Sequence, residues 1–423
     1  MKQKYHILTF GCQMNYSDSQ RAATVLEKIG YESADMDKAD LVLINMCSVR
    51  QSAVDRVLGL GKKFEIFRGK NKKFRSILTG CYLGKDRKKF QKIFDDMIGI
   101  NDIGKLSEIL NKKFKNTENY LEIEATTTSG ASAFVPIMTG CNNFCAYCVV
   151  PYTRGREISR PTKDIISEIK NLVWQGFKEI WLLGQNVNSY KDPSTGSGQV
   201  INFPKLLKDV SEIPGNFWIR FTSSHPKDFS DELVKAMALG GKITSYLNLP
   251  VQAGDDKVLK NMNRPYTIAH YKNLVKKVRA KIPNLCLSTD IIVGFPGETK
   301  KQFDNSKKLF KDVKFDMAYI SEYSPRPGTA SSKMKGDVPH KEKTRRKYEL
   351  NEILKKTALE NNKKYIGQTV EALITGTKKK NAWVGKTKEY KTIYIESSKN
   401  LMGKFIKAEI ISATSWGLNG KLI

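Results

Sequence analysis

The sequence lacks any apolar run that approaches the roughly 18 residues that a membrane-spanning helix needs. The apolar segment that follows the amino-terminal lysines is too short for the apolar region of a secretory signal peptide. Disulfides are rare in cytosolic proteins, and the odd cysteine count, seven, weakens a disulfide framework further. We therefore expect a cytoplasmic protein without a membrane partner, whose cysteines bind metal or carry chemistry.

Acidic residues are also scarce. There are 43 of them against 72 basic residues, which gives a formal net charge of +29. One interpretation is a solvated basic surface in a lysine-rich proteome. The other is a polyanionic partner, above all nucleic acid. Charge alone does not separate the two.

The first 125 residues alternate short apolar runs with a helical pattern that ends at Gly30. Runs of this length, rich in Ile, Leu and Val, predict buried strands, and their alternation with helices predicts a doubly wound parallel sheet. The predicted strands are YHILTF (5–10), DLVLINM (40–46) and SILTG (76–80).

Each of these predicted strands is followed by a cysteine: Cys12, Cys47 and Cys81. Ligands of open parallel sheets bind beyond the carboxyl ends of the strands, so three thiols at three such ends can meet in space. The alternative is three buried core cysteines, which are common in proteins. Their equivalent places in the repeat favour a three-thiol site.

The central part of the chain continues the strand–helix alternation. Six βα units in about 210 residues predict an incomplete parallel barrel, with its active site at the carboxyl ends of the strands. The predicted strands are 134–140, 178–186, 217–225, 245–252, 285–298 and 316–328, and the predicted helices are 162–176, 201–213, 228–239, 256–281 and 299–313.

The first barrel strand leads into TGCNNFCAYC, which places Cys141, Cys145 and Cys148 at the spacing C-x3-C-x2-C. A closed structural zinc site takes four protein ligands, and 4Fe–4S clusters are likewise held by four thiolates. Three thiols without an obvious fourth indicate a metal centre with one open position, which is where metal chemistry occurs. Cys286, inside an apolar strand, is interpreted as a core residue.

After a charged helix at 340–365, the pattern changes to short alternating strands. This pattern predicts a small β-barrel of the kind that many RNA-binding modules use. Lys379 and Trp383 lie where cations mix with aromatic rings, as on surfaces that bind single-stranded nucleic acid. The alternative is an ordinary basic β appendage.

The spacing C-x3-C-x2-C at the start of a βα barrel resembles that of the radical S-adenosylmethionine enzymes. Further motifs make the chain similar to their methylthiotransferase family, in the branch that modifies isopentenyladenosine in tRNA. The resemblance covers nearly the whole chain, although Tyr82-Leu83 stands where the family often has Met-Ala. These motifs are GCQMN, INMCSVR, GCYLG, VVPYTRGREISRP, LLGQNVNSY, RFTSSHPKD, LPVQAGDDKVLKNMNRPY, DIIVGFPGET and YSPRPGT.

The resemblance implies three domains: residues 1–125 with an auxiliary cluster, residues 126–365 as a partial (βα)6 radical S-adenosylmethionine barrel, and residues 366–423 as a TRAM-like RNA-binding domain. It also implies two 4Fe–4S clusters, one held by Cys141, Cys145 and Cys148 and the other by Cys12, Cys47 and Cys81. S-adenosylmethionine would complete the first cluster and supply the radical that activates carbon 2 of the adenine at tRNA position 37. The second cluster would serve sulfur insertion.

Other side chains are candidates for contacts with the cosubstrate or the RNA. Gln185, Asn186, Ser223, Gln252 and Asp290 lie at predicted strand ends and are expected to contact S-adenosylmethionine, although polar residues collect at strand ends in any case. Arg154 and Arg156 follow the cysteine motif and could contact RNA. Structural ion pairing is the alternative for both arginines.

The expected partners are the tRNA and an electron donor of the flavodoxin or ferredoxin type, and the chain is expected to be a monomer. Alternative substrates for the same chemistry are threonylcarbamoyladenosine in tRNA and an aspartate of a ribosomal protein. A noncatalytic RNA-binding protein stabilised by metal is the alternative from a different class.

Overall fold

A computed structural model describes residues 2–48, 51–112, 119–125, 130–195 and 200–423. The polar stretch KNTENYLEIEATTTSGASA (115–133), which the sequence indicates as a connector between the first two domains, lies partly outside the described residues. The same holds for the predicted domain boundary after residue 125, because residues 126–129 are not described. The three domain ranges therefore stay predictions.

The amino-terminal part forms a five-stranded sheet in which all neighbouring strands are parallel, in the order β2-β1-β3-β4-β5. This confirms the predicted doubly wound sheet. Its strands are β1 Gln3–Phe10, β2 Tyr31–Ser33, β3 Leu41–Cys47, β4 Arg75–Cys81 and β5 Asp96–Met97. Its helices are α1 Gln13–Lys28, α2 Gln51–Leu58, α3 Gly61–Lys70, α4 Arg87–Phe90 and α5 Leu106–Ile109.

The local sequence explains why β3 is central and where α1 begins. Every residue of β3 is buried, as expected for a strand that is covered on both faces. The helical pattern SDSQRAATVLEKIG (17–30) predicts a helix that starts at Ser17, but helix α1 begins four residues earlier, at Gln13. Asn15 accounts for the earlier start, because its Oδ1 accepts a hydrogen bond from the backbone N–H of Cys12 at 3.1 Å and caps the first turn.

The central part contains six parallel strands arranged as an incomplete barrel, as predicted. They form two three-stranded groups, β10-β9-β6 and β11-β12-β13, which a parallel bridge between Ile219 and Ile243 joins. The strands are β6 Ser132–Pro136, β9 Glu179–Leu183, β10 Trp218–Phe221, β11 Tyr246–Asn248, β12 Cys286–Val293 and β13 Met317–Glu322. A short hairpin, β7 Met138–Thr139 with β8 Ile158–Ser159, follows the first strand.

The helices of this part are α6 Val150–Thr153, α7 Thr162–Trp174, α8 Phe203–Ser211, α9 Asp231–Ala238, α10 Asp256–Asn261, α11 Ile268–Lys281 and α12 Lys300–Val313. The single helix predicted over 256–281 was wrong, since α10 and α11 are separate. Asn263 has a left-handed backbone (φ 56°), and Pro265 has no N–H with which to continue a helical ladder.

The carboxyl-terminal part begins after α13 His340–Lys363 and forms a closed barrel in the order β14-β15-β16-β18-β17. Closure removes the exposed strand edges that would otherwise pair with other chains. The strands are β14 Thr369–Lys379, β15 Ala382–Thr387, β16 Thr392–Glu396, β17 Phe405–Thr414 and β18 Gly417–Leu422, of which the last had not been predicted.

This small barrel packs against the amino-terminal end of the βα barrel. Arg220 donates hydrogen bonds to the backbone carbonyls of Thr387 and Lys388, both at 2.8 Å. The ring of Tyr390 contacts the rings of Trp181 and Tyr246, and Tyr246 is the first residue of its strand. The carboxyl ends of the strands therefore lie on the side away from this contact. Within the described part of the chain, no helix is long and apolar enough to span a membrane.

Candidate functional site

The amino-terminal thiols lie at one edge of the parallel sheet. Cys47 and Cys81 end the neighbouring strands β3 and β4 and are partners in the strand register. Cys12 follows β1 and immediately precedes α1. The order of the strands reverses between β1 and β3, and such a switch point is where open parallel sheets bind ligands. Burial raises the pKa of Cys81, and the nearby charge of Cys12 contributes to the shift, so the thiols interact.

The barrel thiols lie in the loop that follows β7. The backbone N–H of Cys148 donates to the carbonyl of Cys145 at 2.9 Å, which folds the loop back on itself. Burial, with smaller effects from Cys145 and Cys141, raises the pKa of Cys148 to about 12. Phe144, between the ligand candidates, has a left-handed backbone with φ of 46°, a conformation that costs free energy outside glycine.

In the described ranges, no group of three or more His, Cys, Asp or Glu side chains is gathered as a site for one metal ion. A cubane cluster instead presents a separate iron to each thiolate, so its thiols stand further apart. Buried hydroxyls without a hydrogen-bond partner lie beside both sets: Ser48 and Thr79 near the sheet thiols and Thr139 near the barrel thiols.

The five candidates for the cosubstrate are all placed at the carboxyl end of the barrel. Gln185 and Asn186 follow β9, and each has a side-chain oxygen without a hydrogen-bond partner. Ser223 follows β10 and Gln252 follows β11, both with left-handed backbones (φ 66° and 71°). Asp290, within β12, accepts a hydrogen bond from the Nδ2 of a neighbouring asparagine at 3.2 Å.

Three further residues at this mouth were missed from the sequence. Ser224 and His225 are buried after β10, and both have a polar atom without a partner, as has Asn188 after β9. Burial, followed by the charges of Arg264 and Lys227, lowers the pKa of His225 to about 2, so this imidazole is neutral. Only their position could have indicated them, because their spacing matches no ligand motif: Ser224 and His225 end the strand predicted at 217–225, and Asn188 follows the strand predicted at 178–186. Buried polar atoms without a partner are uncommon in folded proteins, and each one calls for an explanation such as a bound water, ion or ligand.

Arg154 is not on the RNA-accessible surface. It is only 2% exposed, its Nη2 lies 2.5 Å from Asp18, and its Nε donates to the Sγ of Cys81 at 3.2 Å. Arg154 therefore matches the alternative given from the sequence, structural ion pairing. Its guanidinium is buried against these partners and presents no N–H donor to RNA at the surface. A second buried arginine, Arg264, points Nη1 at the Sγ of Cys145 at 3.7 Å.

Arg156 remains at the surface beside the cysteine loop. Its guanidinium carbon lies 4.4 Å from the centre of the Phe144 ring, and the exposed ring of Tyr152 meets the edge of Phe144 at 6.1 Å. In the small barrel, Lys379 is exposed near the tip of the β14–β15 hairpin. Trp383 is half-buried and donates from Nε1 to the carbonyl of Ser397 at 3.0 Å, so only part of its ring is accessible.

Comparison with protein families divides the chain in the same order as the fold. The profile of the radical SAM superfamily matches residues 135–310, and the profile of the uncharacterized protein family UPF0004 matches residues 4–99. The TRAM domain profile matches residues 363–423.

Curated relatives match over essentially the full length. A protein of Thermoanaerobacter sp. (strain X514) is 41% identical over 99% of this chain and 92% of its own. One of Carboxydothermus hydrogenoformans is 39% identical over all of both chains, and one of Neisseria gonorrhoeae is 38% identical over 99% of both. Each is named tRNA-2-methylthio-N(6)-dimethylallyladenosine synthase.

Among solved structures, the radical S-adenosylmethionine methyltransferase TsrM of Kitasatospora setae, with tryptophan and a SAM analog bound, has a TM-score of 0.56. It is 14% identical, and the alignment covers 78% of this chain and 75% of TsrM. At this identity the likeness concerns the fold alone.

Proposed function

The chain belongs to the family of tRNA-2-methylthio-N(6)-dimethylallyladenosine synthases, and we propose that it catalyses the reaction which that name describes. The reaction places a methylthio group on carbon 2 of an adenine, at tRNA position 37 beside the anticodon, that already carries the dimethylallyl (isopentenyl) group on N6. The chain uses S-adenosylmethionine and an iron–sulfur cluster. When bound, these cofactors supply the radical chemistry that acid–base side chains cannot perform on a ring C–H bond.

We assign one cluster to each thiol set. Cys141, Cys145 and Cys148 would hold the cluster that binds S-adenosylmethionine, and Cys12, Cys47 and Cys81 would hold an auxiliary cluster that serves sulfur insertion. The observation that carries this assignment is the contact of Arg154 with Cys81. Arg154 lies six residues after Cys148, so the two thiol sets are neighbours across the boundary of sheet and barrel.

The polar mouth of the barrel would receive S-adenosylmethionine. The unpartnered oxygens of Gln185 and Asn186 and the strained turns at Ser223 and Gln252 support contacts with a ligand that has many donors and acceptors. Asp290 lies on the neighbouring strand and would contribute a carboxylate acceptor.

The tRNA would approach the same mouth. At this mouth Arg156 stacks on the half-buried ring of Phe144, next to the exposed ring of Tyr152. The basic hairpin with Lys379 and Trp383 belongs to the small barrel, which packs against the opposite end of the βα barrel, so it would contact a different part of the tRNA. Both places provide cations and ring faces of the type that RNA recognition uses. We further propose that the chain acts as a monomer in the cytoplasm and receives electrons from a flavodoxin-type or ferredoxin-type donor.

Nucleoside mass spectrometry of tRNA from a strain that lacks this chain tests the substrate. The methylthio group should disappear from the dimethylallylated adenosine while the dimethylallyl group remains. Its loss from threonylcarbamoyladenosine instead, or from no nucleoside at all, would contradict the proposal.

Iron and sulfide analysis after anaerobic reconstitution tests the cluster assignment. We expect about eight irons per chain in the wild type and about four in the variant Cys12→Ala, Cys47→Ala, Cys81→Ala, because one of two cubanes is lost. Unchanged iron in this variant would refute the auxiliary site. Reduced wild-type protein should also convert S-adenosylmethionine to 5′-deoxyadenosine, which a noncatalytic metal-stabilised protein cannot do.

A further inference from the structure

Arg154 connects the two thiol sets directly. It follows α6, the short helix after the barrel cysteines, and its side chain crosses to the amino-terminal sheet. There the Nε donates to the Sγ of Cys81 at 3.2 Å, and the Nη2 pairs with Asp18 at 2.5 Å. One guanidinium thus contacts a proposed cluster ligand and the helix that Cys12 precedes.

The backbone around Arg154 is attached to the other thiol set. The N–H of Cys141 donates to the carbonyl of Gly155 at 3.2 Å, and Gly140 packs so closely on this segment that an added Cβ would lie 2.0 Å from the carbonyl oxygen of Arg156. Asn101, from the amino-terminal part, donates to the carbonyl of Arg154 at 3.0 Å. The path from Cys141 to Cys81 therefore runs through two hydrogen bonds and one side chain.

The orientation of the guanidinium is determined by its carboxylate partner. Both oxygens of Asp18 are occupied, since Tyr120 donates its hydroxyl to Oδ1 and Arg154 donates to Oδ2. Asp18 and Arg154 are both fully or almost fully buried. With the planar fork held on Asp18, the Nε–H bond has a constrained direction, and that direction leads to Cys81.

Building on the cluster assignment proposed above, we propose that Arg154 is a positioning residue for the auxiliary cluster. It holds Cys81 against the barrel loop and places a positive N–H donor on the sulfur of this ligand. Hydrogen bonds to cluster sulfurs and nearby charge are among the factors that set the reduction potential. A cation at Cys81 stabilises the more negative, reduced state, so the potential of this cluster should be higher than it would be without Arg154.

A second buried arginine network at the boundary between the same two parts of the chain provides a matched control. Arg160 lies 2.5 Å from Glu168, which also pairs with Arg21 of α1, so this network joins the sheet to the barrel as the Arg154–Asp18 pair does. The contacts of Arg160 include no cysteine: its Nη1 donates to Glu168 and to the carbonyl of Pro136. Arg160→Gln therefore reports what the loss of a buried arginine from an ion-pair network at this boundary does by itself.

The experiment uses the full chain with Cys141→Ala, Cys145→Ala and Cys148→Ala, so that only the auxiliary site can load. Iron, sulfide and the potential of the reconstituted cluster, from a redox titration followed by electron paramagnetic resonance, are compared for this parent and for added Arg154→Gln, Arg154→Lys and Arg160→Gln. We expect Arg154→Gln to shift the reduction equilibrium at least about tenfold toward the oxidised form, about 59 mV for one electron. Arg154→Lys should shift it less, and Arg160→Gln should keep the parent value.

Each outcome of this experiment either supports or overturns the proposed role of Arg154. An Arg154→Gln cluster at the parent potential, or equal shifts in Arg154→Gln and Arg160→Gln, would overturn the proposal. Loss of iron binding in Arg154→Gln alone, with unchanged circular dichroism, would support it, because Cys81 would have lost its position. Loss in both variants would show a general folding role and overturn it. If the parent itself binds no cluster, the cluster assignment fails instead.

Discussion

Gly140 precedes the first barrel cysteine, and Gly140→Ala should specifically disrupt the barrel thiol site. Its backbone has φ of 78°, which strains any residue with a Cβ. The alanine Cβ would lie 2.0 Å from the carbonyl oxygen of Arg156 and 2.8 Å from that of Gly155. The nearest approach that real Cβ atoms show is about 3.0 Å, so the segment 155–156 must move by about 1 Å.

The size of the effect follows from two contributions. The left-handed backbone costs about 1–2 kcal/mol for alanine. The forced movement breaks the hydrogen bond from Cys141 to Gly155, and an unsatisfied buried donor costs about 1–3 kcal/mol. Gly140→Ala should therefore lower the free energy of unfolding by about 2–5 kcal/mol. Gly155→Ala is the control, because its φ of 81° imposes the same strain while no heavy atom lies within 4 Å of the added Cβ.

Urea unfolding and iron analysis of the reconstituted proteins measure the effect. Gly140→Ala should bind about four irons where Gly155→Ala binds about eight, because only the barrel loop is displaced. The reasoning is refuted if both variants lose the same stability and bind the same amount of iron, since the close approach would then have no consequence beyond backbone strain.

Three other perturbations test separate parts of the structure. Arg220→Met should lower the free energy of unfolding by about 3–5 kcal/mol, because it leaves the carboxylate of Glu179 buried without its cation. Adding Glu179→Gln should recover part of this loss. A double variant that is no more stable than Arg220→Met would contradict the prediction. Lys379→Ala should weaken tRNA binding and reduce the steepness of log K against log salt by about 0.7–0.9, the contribution of one phosphate contact in single strands and duplexes. Lys170→Ala, on the outer face of α7, should leave the slope unchanged. Equal slopes in the wild type and both variants would exclude a phosphate contact of Lys379. Burial keeps the pKa of His225 near 2 in the folded protein, against about 6.5 in the unfolded chain, so on acidification the unfolded chain binds this proton first. The free energy of unfolding of the wild type should therefore fall by about 2 kcal/mol between pH 7 and pH 5, and this fall should be absent in His225→Asn. Parallel curves of unfolding free energy against pH for the two proteins would refute the prediction.

Local pattern predicted most of the helices and strands and the places of the candidate residues at the ends of strands. The apolar run LVLINMC predicts a strand because it can be covered on both faces, and the C-x3-C-x2-C spacing predicts a metal loop because its thiols are close along the chain. The placement of Cys12, Cys47 and Cys81 at one edge of the sheet also followed from pattern, since the carboxyl ends of parallel strands share one edge. Strand β18 was missed because Gly417 and Gly420 interrupt the alternation that indicates a strand.

The ion-pair and hydrogen-bond partners that lie far apart along the chain could not be predicted from local pattern. Arg154 and Arg156 are two residues apart in one motif and have equal charge, yet one is buried on Asp18 and Cys81 and the other is exposed over Phe144. Asp18 lies 136 residues from Arg154 along the chain, and nothing in either local sequence specifies that pair. Periodicity reports which face of an element is buried. The packing of separate elements determines which side chains become partners. A buried charge is costly unless it is paired, so Arg154 and Asp18 can both be buried only because the fold brings them into contact.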